Sequence, residues 1–202
     1  MKKRILIGIA IAVPIITIML VILMRLLVSP TNQEVIDNVK KMKCYKADVQ
    51  YIFSNTRGDE TENAKVYFDE KALGRIVFQT DRERIYKRDK VIVKDNIANK
   101  EYSIDKELND LYKMTFLRKL LEYPINQASI QEGQEEWGEK KYLYFEIDIT
   151  DQGNNAKKAI VYIDKDEEVP IGVIVYNKEN KVSLKIIYNE FEKMKKLDED
   201  LL

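Results

Sequence analysis

The residues of this chain that could do chemistry are one cysteine, a few clusters of carboxylates and an abundance of tyrosine. There is no histidine, so Ser-His and Cys-His nucleophilic pairs and every His-containing metal site are excluded. Cys44 is alone; it can form neither an intramolecular disulfide nor a Cys-only zinc site, and it reads as a small buried hydrophobe at a junction of helix and strand. Asp164, Asp166, Glu167 and Glu168 crowd one stretch as calcium ligands do. The D-x-D-x-D-G pattern is missing, however, and Pro170 ends the stretch, so a solvated turn is expected. Asp198, Glu199 and Asp200 read as a charged tail, and the seven glycines form no phosphate loop. The chain is therefore expected to have no catalytic residue, cofactor or metal, and to be no enzyme. The twelve tyrosines remain, and tyrosine is enriched where proteins bind proteins.

Two kinds of element must position these residues. Thr31 and Glu34 stand in capping-box spacing, and Val35, Val39 and Met42 recur with helical period, which predicts a short amphipathic helix ending near Lys43. The period then becomes two. Ala47, Val49, Tyr51 and Phe53 alternate with polar residues; Ala64 to Phe68, Gly74 to Phe78, Arg84 to Lys87, Val91 to Val93 and Glu101 to Ile104 follow as further strands. Asp105 is placed to cap a second helix, with Leu108, Leu111, Met114, Leu117 and Leu121 on one stripe and Pro124 as its stop. A loop with Gly133, Trp137 and Gly138 leads to four longer strands: Leu143–Ile149, Ala159–Ile163, a third with Ile171, Val173 and Val175 on one face, and Val182–Phe191. Consecutive strands with short turns pair antiparallel. The expected fold class is α+β and mostly β, a curved antiparallel sheet or unclosed half-barrel covered on one face by about two helices. If Leu143 and Phe145 pack under the helices, Tyr142 and Tyr144 face outward. Tyr142, Tyr144 and Tyr176 are the candidate partner-binding residues.

Ile5 to Met24 is a run of twenty residues without a charge. As a helix it spans about 30 Å, the thickness of a bilayer's hydrocarbon core. Lys2, Lys3 and Arg4 precede it, which keeps the N-terminus cytoplasmic and sends the remainder across. The run exceeds the apolar region of a cleaved signal peptide, and no A-x-A site follows it. Residues 1–30 are thus expected to be an uncleaved single-pass anchor and 31–202 one extracytoplasmic domain. Those four charges, Lys2, Lys3, Arg4 and Arg25, are the only ones before Glu34. They leave the domain 30 basic residues against 34 acidic, which is no footprint for nucleic acid.

The order of motifs resembles the LolA/LolB type of lipoprotein-carrier fold over most of Gln33 to Leu202. The resemblance rests on a short helix ending in Met42-Lys43-Cys44-Tyr45-Lys46-Ala47 and on Leu120-Leu121-Glu122-Tyr123-Pro124 in mid-chain. Val161-Tyr162-Ile163-Asp164, Val169-Pro170, Tyr188-Asn189-Glu190-Phe191 and Leu197-Asp198 complete it. It implies an extracytoplasmic setting and no catalysis. Composition and the membrane N-terminus also look like the clostridial GerS-type spore-germination proteins. That resemblance implies a place at the bacterial cell or forespore membrane and a role in spore cortex modification, through binding and activating an N-acetylmuramoyl-L-alanine amidase. No cysteine stands directly after the apolar run, so the lipobox of a lipoprotein is absent. The alternative is a carrier or sensor of a hydrophobic ligand, a lipid or a lipoprotein acyl chain. A carboxylate-based enzyme is the third reading, and the missing chemistry counts against it.

The anchor expectation is checked by N-terminal sequencing of the mature protein. Met1 at the start supports an uncleaved anchor; a chain beginning near Thr31 overturns it.

Overall fold

The computed structural model describes residues 14, 17–20, 30–71, 73–105, 110–135, 137–150, 155–198 and 201. The chain divides into two compact units, Met1–Thr31 and Asn32–Leu202. In the first, Pro14 and Thr17 to Leu20 are helical, and Ile18, Met19 and Leu20 are exposed. The rest of the expected anchor, its bounding residues Ile5 and Met24 included, lies outside the described residues. Among the described residues no helix is long and apolar enough to cross a membrane.

The second unit begins with helix α1 (Asn32–Lys40), which buries Val35, Ile36 and Val39. Eleven strands follow: β1 (Cys44–Asn55), β2 (Gly58–Asp69), β3 (Leu73–Phe78), β4 (Arg82–Tyr86), β5 (Lys90–Asp95), β6 (Lys100–Asp105), β7 (Gln131–Glu135), β8 (Gly138–Asp148), β9 (Ala156–Asp164), β10 (Val169–Asn177) and β11 (Val182–Lys193). All pair antiparallel in one open sheet of order β6-β5-β4-β3-β2-β1-β11-β10-β9-β8-β7. The sheet is two meanders joined where the first strand meets the last. Turns carry the residues that tolerate left-handed backbone, such as Asn99 (φ 47°) between β5 and β6 and Asn180 (φ 59°) between β10 and β11.

Alternation decides which side of each strand is buried. On β8, Leu143, Phe145 and Ile147 are fully buried, and on β9 Ala159, Val161 and Ile163 join them. They meet Val49, Val66, Ile76, Val173 and Ile186 in one core on the sheet's inner face. Ile171 departs from the expected face. The β10–β9 register shifts between Pro170 and Gly172, so Ile171 is the extra residue of a bulge, half-buried and outside the core with Val173 and Val175.

Two other expectations are corrected. The mid-chain helix is neither long nor continuous. Asp105 ends β6, Leu108 lies outside the described residues, and the segment forms a 3₁₀ turn (Leu111–Thr115) followed by a one-turn helix, α2 (Leu117–Leu120). Asp110 is the residue that caps it, its side chain accepting from the Tyr112 amide. Asp164, expected in a solvated turn, is 3% exposed. Its carboxylate accepts from the Asp166 and Glu167 amides at 2.9 and 3.0 Å and pairs with Lys140 at 3.0 Å. Burial by itself would raise this carboxyl, but those donors together outweigh it and hold the pKa below the ordinary carboxylate value. It organises the β9–β10 turn.

Phe145→Ala or Ile163→Ala should cost about 2–5 kcal/mol in urea denaturation, because each leaves a cavity in the closed core. Tyr144→Ala, on the other face of the same strand as Phe145, should cost clearly less.

Candidate functional site

The inner face carries tyrosines where its alternation would place aliphatic residues. Tyr45 and Tyr51 of β1 are fully buried, and Tyr86 of β4 and Tyr188 of β11 nearly so. A buried phenol needs a partner for its hydroxyl. The segment from Asp110 to Leu121 supplies it for Tyr45, Tyr86 and Tyr188, while the buried Tyr51 hydroxyl has no hydrogen-bond partner among the described residues. Tyr188 and Tyr45 donate to the Thr115 carbonyl at 2.7 and 3.2 Å, and the Tyr45 oxygen accepts in turn from the Leu117 amide at 3.3 Å. Tyr86 donates to Asp110 Oδ2 at 2.7 Å, which also receives Arg84 Nη1 at 3.1 Å. Burial pushes the Tyr45, Tyr86 and Tyr188 hydroxyls up from their ordinary pKa, so all three stay protonated and able to donate.

These bonds explain why the helix breaks. The Thr115 carbonyl is taken by two hydroxyls from the sheet, while the Lys119 amide bonds Phe116 O at 2.8 Å instead. Phe116, at φ −79° and ψ 84°, turns the chain out of helical geometry. Its ring lies against Tyr86 (4.9 Å between centroids) and over Gly74, where a Cβ would stand 2.4 Å from Phe116 Cε1. Leu117, Leu120 and Leu121 are buried beside it. Tyr112 is gripped separately. Its ring makes edge contacts with Tyr51, Phe53 and Phe78, each at 5.1 Å, the Arg84 guanidinium lies 4.5 Å from its centroid, and its hydroxyl donates to Glu62.

The segment therefore acts as a lid seated in the sheet. Phe68, Phe78, Phe116 and Phe145 fill the inner face, with Phe53 packed against them. What remains is a cleft of about 340 Å³ at the lid's edge, lined by Phe68, Tyr86, Met114, Phe116, Leu120 and Tyr123 with Lys113, Lys119 and Glu122.

The proposed contact residues lie on the other face. Tyr142 and Tyr144 are opposite Leu143 and Phe145 as expected, but Tyr142 does not reach solvent. It is 3% exposed and lies over Gly133 of the neighbouring strand, where a Cβ would meet its ring at 2.3 Å. Tyr144 is half-buried, stacks on Tyr162 at 5.7 Å and donates to Gln131 at 2.5 Å. Trp137 completes this layer, packed 5.0 Å from Tyr162 and against Gly172. Tyr176 stands apart on β10, half-buried, with Lys158 Nζ 5.5 Å from its ring centroid. Sequence reasoning found the outer tyrosines and put Tyr51 on the apolar row of its strand, but did not single out Tyr45, Tyr86 and Tyr188 as inner residues. The available signal was parity: Tyr45 shares the inward row of its strand with Tyr51.

Asp110→Ala removes the acceptor for Arg84, Tyr86 and the Tyr112 amide together. It should destabilise the domain by about 2–4 kcal/mol, while Tyr86→Phe, which leaves Arg84 paired, should cost about 1 kcal/mol. Urea denaturation followed by tyrosine fluorescence measures both.

Among curated proteins none matches this chain in sequence. Solved structures share its fold. An uncharacterized conserved protein from Thermus thermophilus aligns with a TM-score of 0.53 at 16% identity, over 84% of this chain and 91% of that one. A domain assigned to outer membrane lipoprotein sorting from Vibrio parahaemolyticus aligns at 0.50 and 12% identity, over 82% and 93%. A DUF1329 family protein from Desulfovibrio piger aligns at 0.51 and 10%, over 81% and 90%. At such identities these likenesses speak of fold alone, and the fold is the lipoprotein-carrier type that the motif order implied. The profile of YdcC-like sporulation proteins matches residues 2–202, so the chain belongs to the YdcC-like family of sporulation proteins.

Proposed function

We propose that this protein is a non-catalytic binding protein of sporulation, held at a bacterial cell or forespore membrane with its domain on the extracytoplasmic side. It supports cortex modification by binding and activating a cell-wall N-acetylmuramoyl-L-alanine amidase. One observation carries the choice of binding protein over carrier: the inner face, where a lipid carrier would receive acyl chains, is filled by the chain's own Asp110–Leu121 segment. Membership of a sporulation family supports the setting. The amidase rests on the resemblance to GerS-type proteins. The absence of histidine and the engagement of Asp110 and Asp164 in structural bonds favour a non-catalytic role.

The cleft beside the lid keeps a second reading in play, a sensor of a hydrophobic ligand. Its volume of about 340 Å³ falls at the small end of ligand pockets, and its lining is mainly apolar.

Full-length protein in detergent, mixed with a cortex amidase, should form a stoichiometric complex and raise that enzyme's activity on peptidoglycan, with no hydrolysis when the enzyme is omitted. Tyr144→Ala or Tyr176→Ala, if it removes an anchor, should weaken the complex by about 2 kcal/mol or more. Failure to bind any cell-wall amidase removes this proposal, and lipid co-purifying in native mass spectrometry favours the second reading.

A further inference from the structure

An open sheet has two edges, and this one treats them differently. The β7 edge is short, and its register against β8 shifts between Gly133 and Glu135, a device that keeps an edge from templating further strands. Among the described residues the β6 edge carries no such bulge, and what guards it is charge, with Lys100, Glu101 and Asp105 along the strand. Its six residues pair with β5 in unbroken register, Lys90 with Asp105 through Asp95 with Lys100, and among the described residues no strand pairs beyond it. In the described residues of this unit the large hydrophobics left exposed are Ile97 (77%) and Tyr102 (55%), and both belong to the β5–β6 hairpin.

The two rows of β6 differ in chemistry. Tyr102 and Ile104 stand opposite Val93 and Val91, whose side chains are buried on the inner face, so the inward row reads Lys100, Tyr102, Ile104. The outward row reads Glu101, Ser103, Asp105 and carries acid. Lys94 meets Glu101 only at 3.7 Å across exposed side chains, a weak pairing. A second copy of this edge would bring Glu101 and Asp105 toward their own counterparts.

We propose that the β6 edge is a strand-addition site for an extended segment of a partner protein that alternates basic with apolar residues. Backbone groups of β6 supply the ladder, the basic side chains lie beside Glu101 and Asp105, and the apolar ones cover Tyr102 and Ile104. This deepens the protein-binding reading above, on which it rests for the existence of a protein partner.

The test uses full-length protein in detergent and three fluorescein-labelled octapeptides. One alternates lysine with valine, one alternates glutamate with valine, and one is the lysine peptide N-methylated at alternate amides, which keeps its charge but removes donors from the ladder. The lysine peptide should bind at least tenfold more tightly than either other, and slow amide exchange at residues 100–105. The Glu101→Lys/Asp105→Lys variant should lose at least tenfold for the lysine peptide and gain affinity for the glutamate peptide, an inversion that misfolding would not produce. Equal binding of the N-methylated peptide, or affinity unchanged in the variant, overturns the inference. Peptide selectivity without an amidase complex leaves this inference standing and removes the amidase reading; an amidase complex without peptide selectivity does the reverse.

Discussion

The Thr115 carbonyl, shared by the hydroxyls of Tyr45 and Tyr188, is the contact on which the inner face depends. Buried carbonyls must find donors, and a helix would have supplied one from its own backbone. Here the sheet supplies two, and the segment gives up helical continuity at Phe116 in return. Asp110 makes the same exchange at the other end of the 3₁₀ turn, holding Arg84, Tyr86 and the Tyr112 amide at once. The hydroxyl bonds to the Thr115 carbonyl contribute about 1 kcal/mol net each and those to the Asp110 carboxylate up to about 3, while burying each of Phe116, Leu117 and Leu120 contributes about 1.5–3 kcal/mol. Burial and these bonds together hold the lid, and the hydroxyls set where it sits.

Glycine performs a matching task on both faces. Gly74 leaves room for the Phe116 ring on the inside, while Gly133 and Gly172 receive Tyr142 and Trp137 on the outside. In each case a Cβ would intrude on the ring at under 3 Å. Aromatic side chains thereby cover the weak, side-chain-free points of the strands. The outer layer of Trp137, Tyr142, Tyr144 and Tyr162 consequently spends much of its area on the protein itself, and Tyr144 and Tyr176 keep more access than Tyr142.

A filled inner face changes what a lipoprotein-carrier fold can do. With the lid seated, the described inner face is filled by the chain's own side chains, and the mainly apolar cleft by Phe68 and Phe116 lies at the lid's edge; the proposed binding role rests on that filling.

Much of the strand architecture was legible in the sequence. Alternation in Ala47–Phe53, Leu143–Ile149 and Ala159–Ile163 is local information, since side chains of a strand point to opposite faces with period two, and short turns made antiparallel pairing the natural expectation. The missing histidine and the lone Cys44 narrowed the chemistry for the same reason: they are facts of composition, independent of folding. The lid was not legible. Leu111, Met114, Leu117 and Leu121 have helical spacing, but the donors that capture Thr115 come from Tyr45 and Tyr188, about 70 residues away in either direction. Burial of Tyr142 likewise depends on Gly133 of the neighbouring strand, and the exclusion of Ile171 from the core depends on a bulge in pairing with β9. Periodicity records which face a residue prefers; which partner waits on that face is decided by contacts between distant parts of the chain.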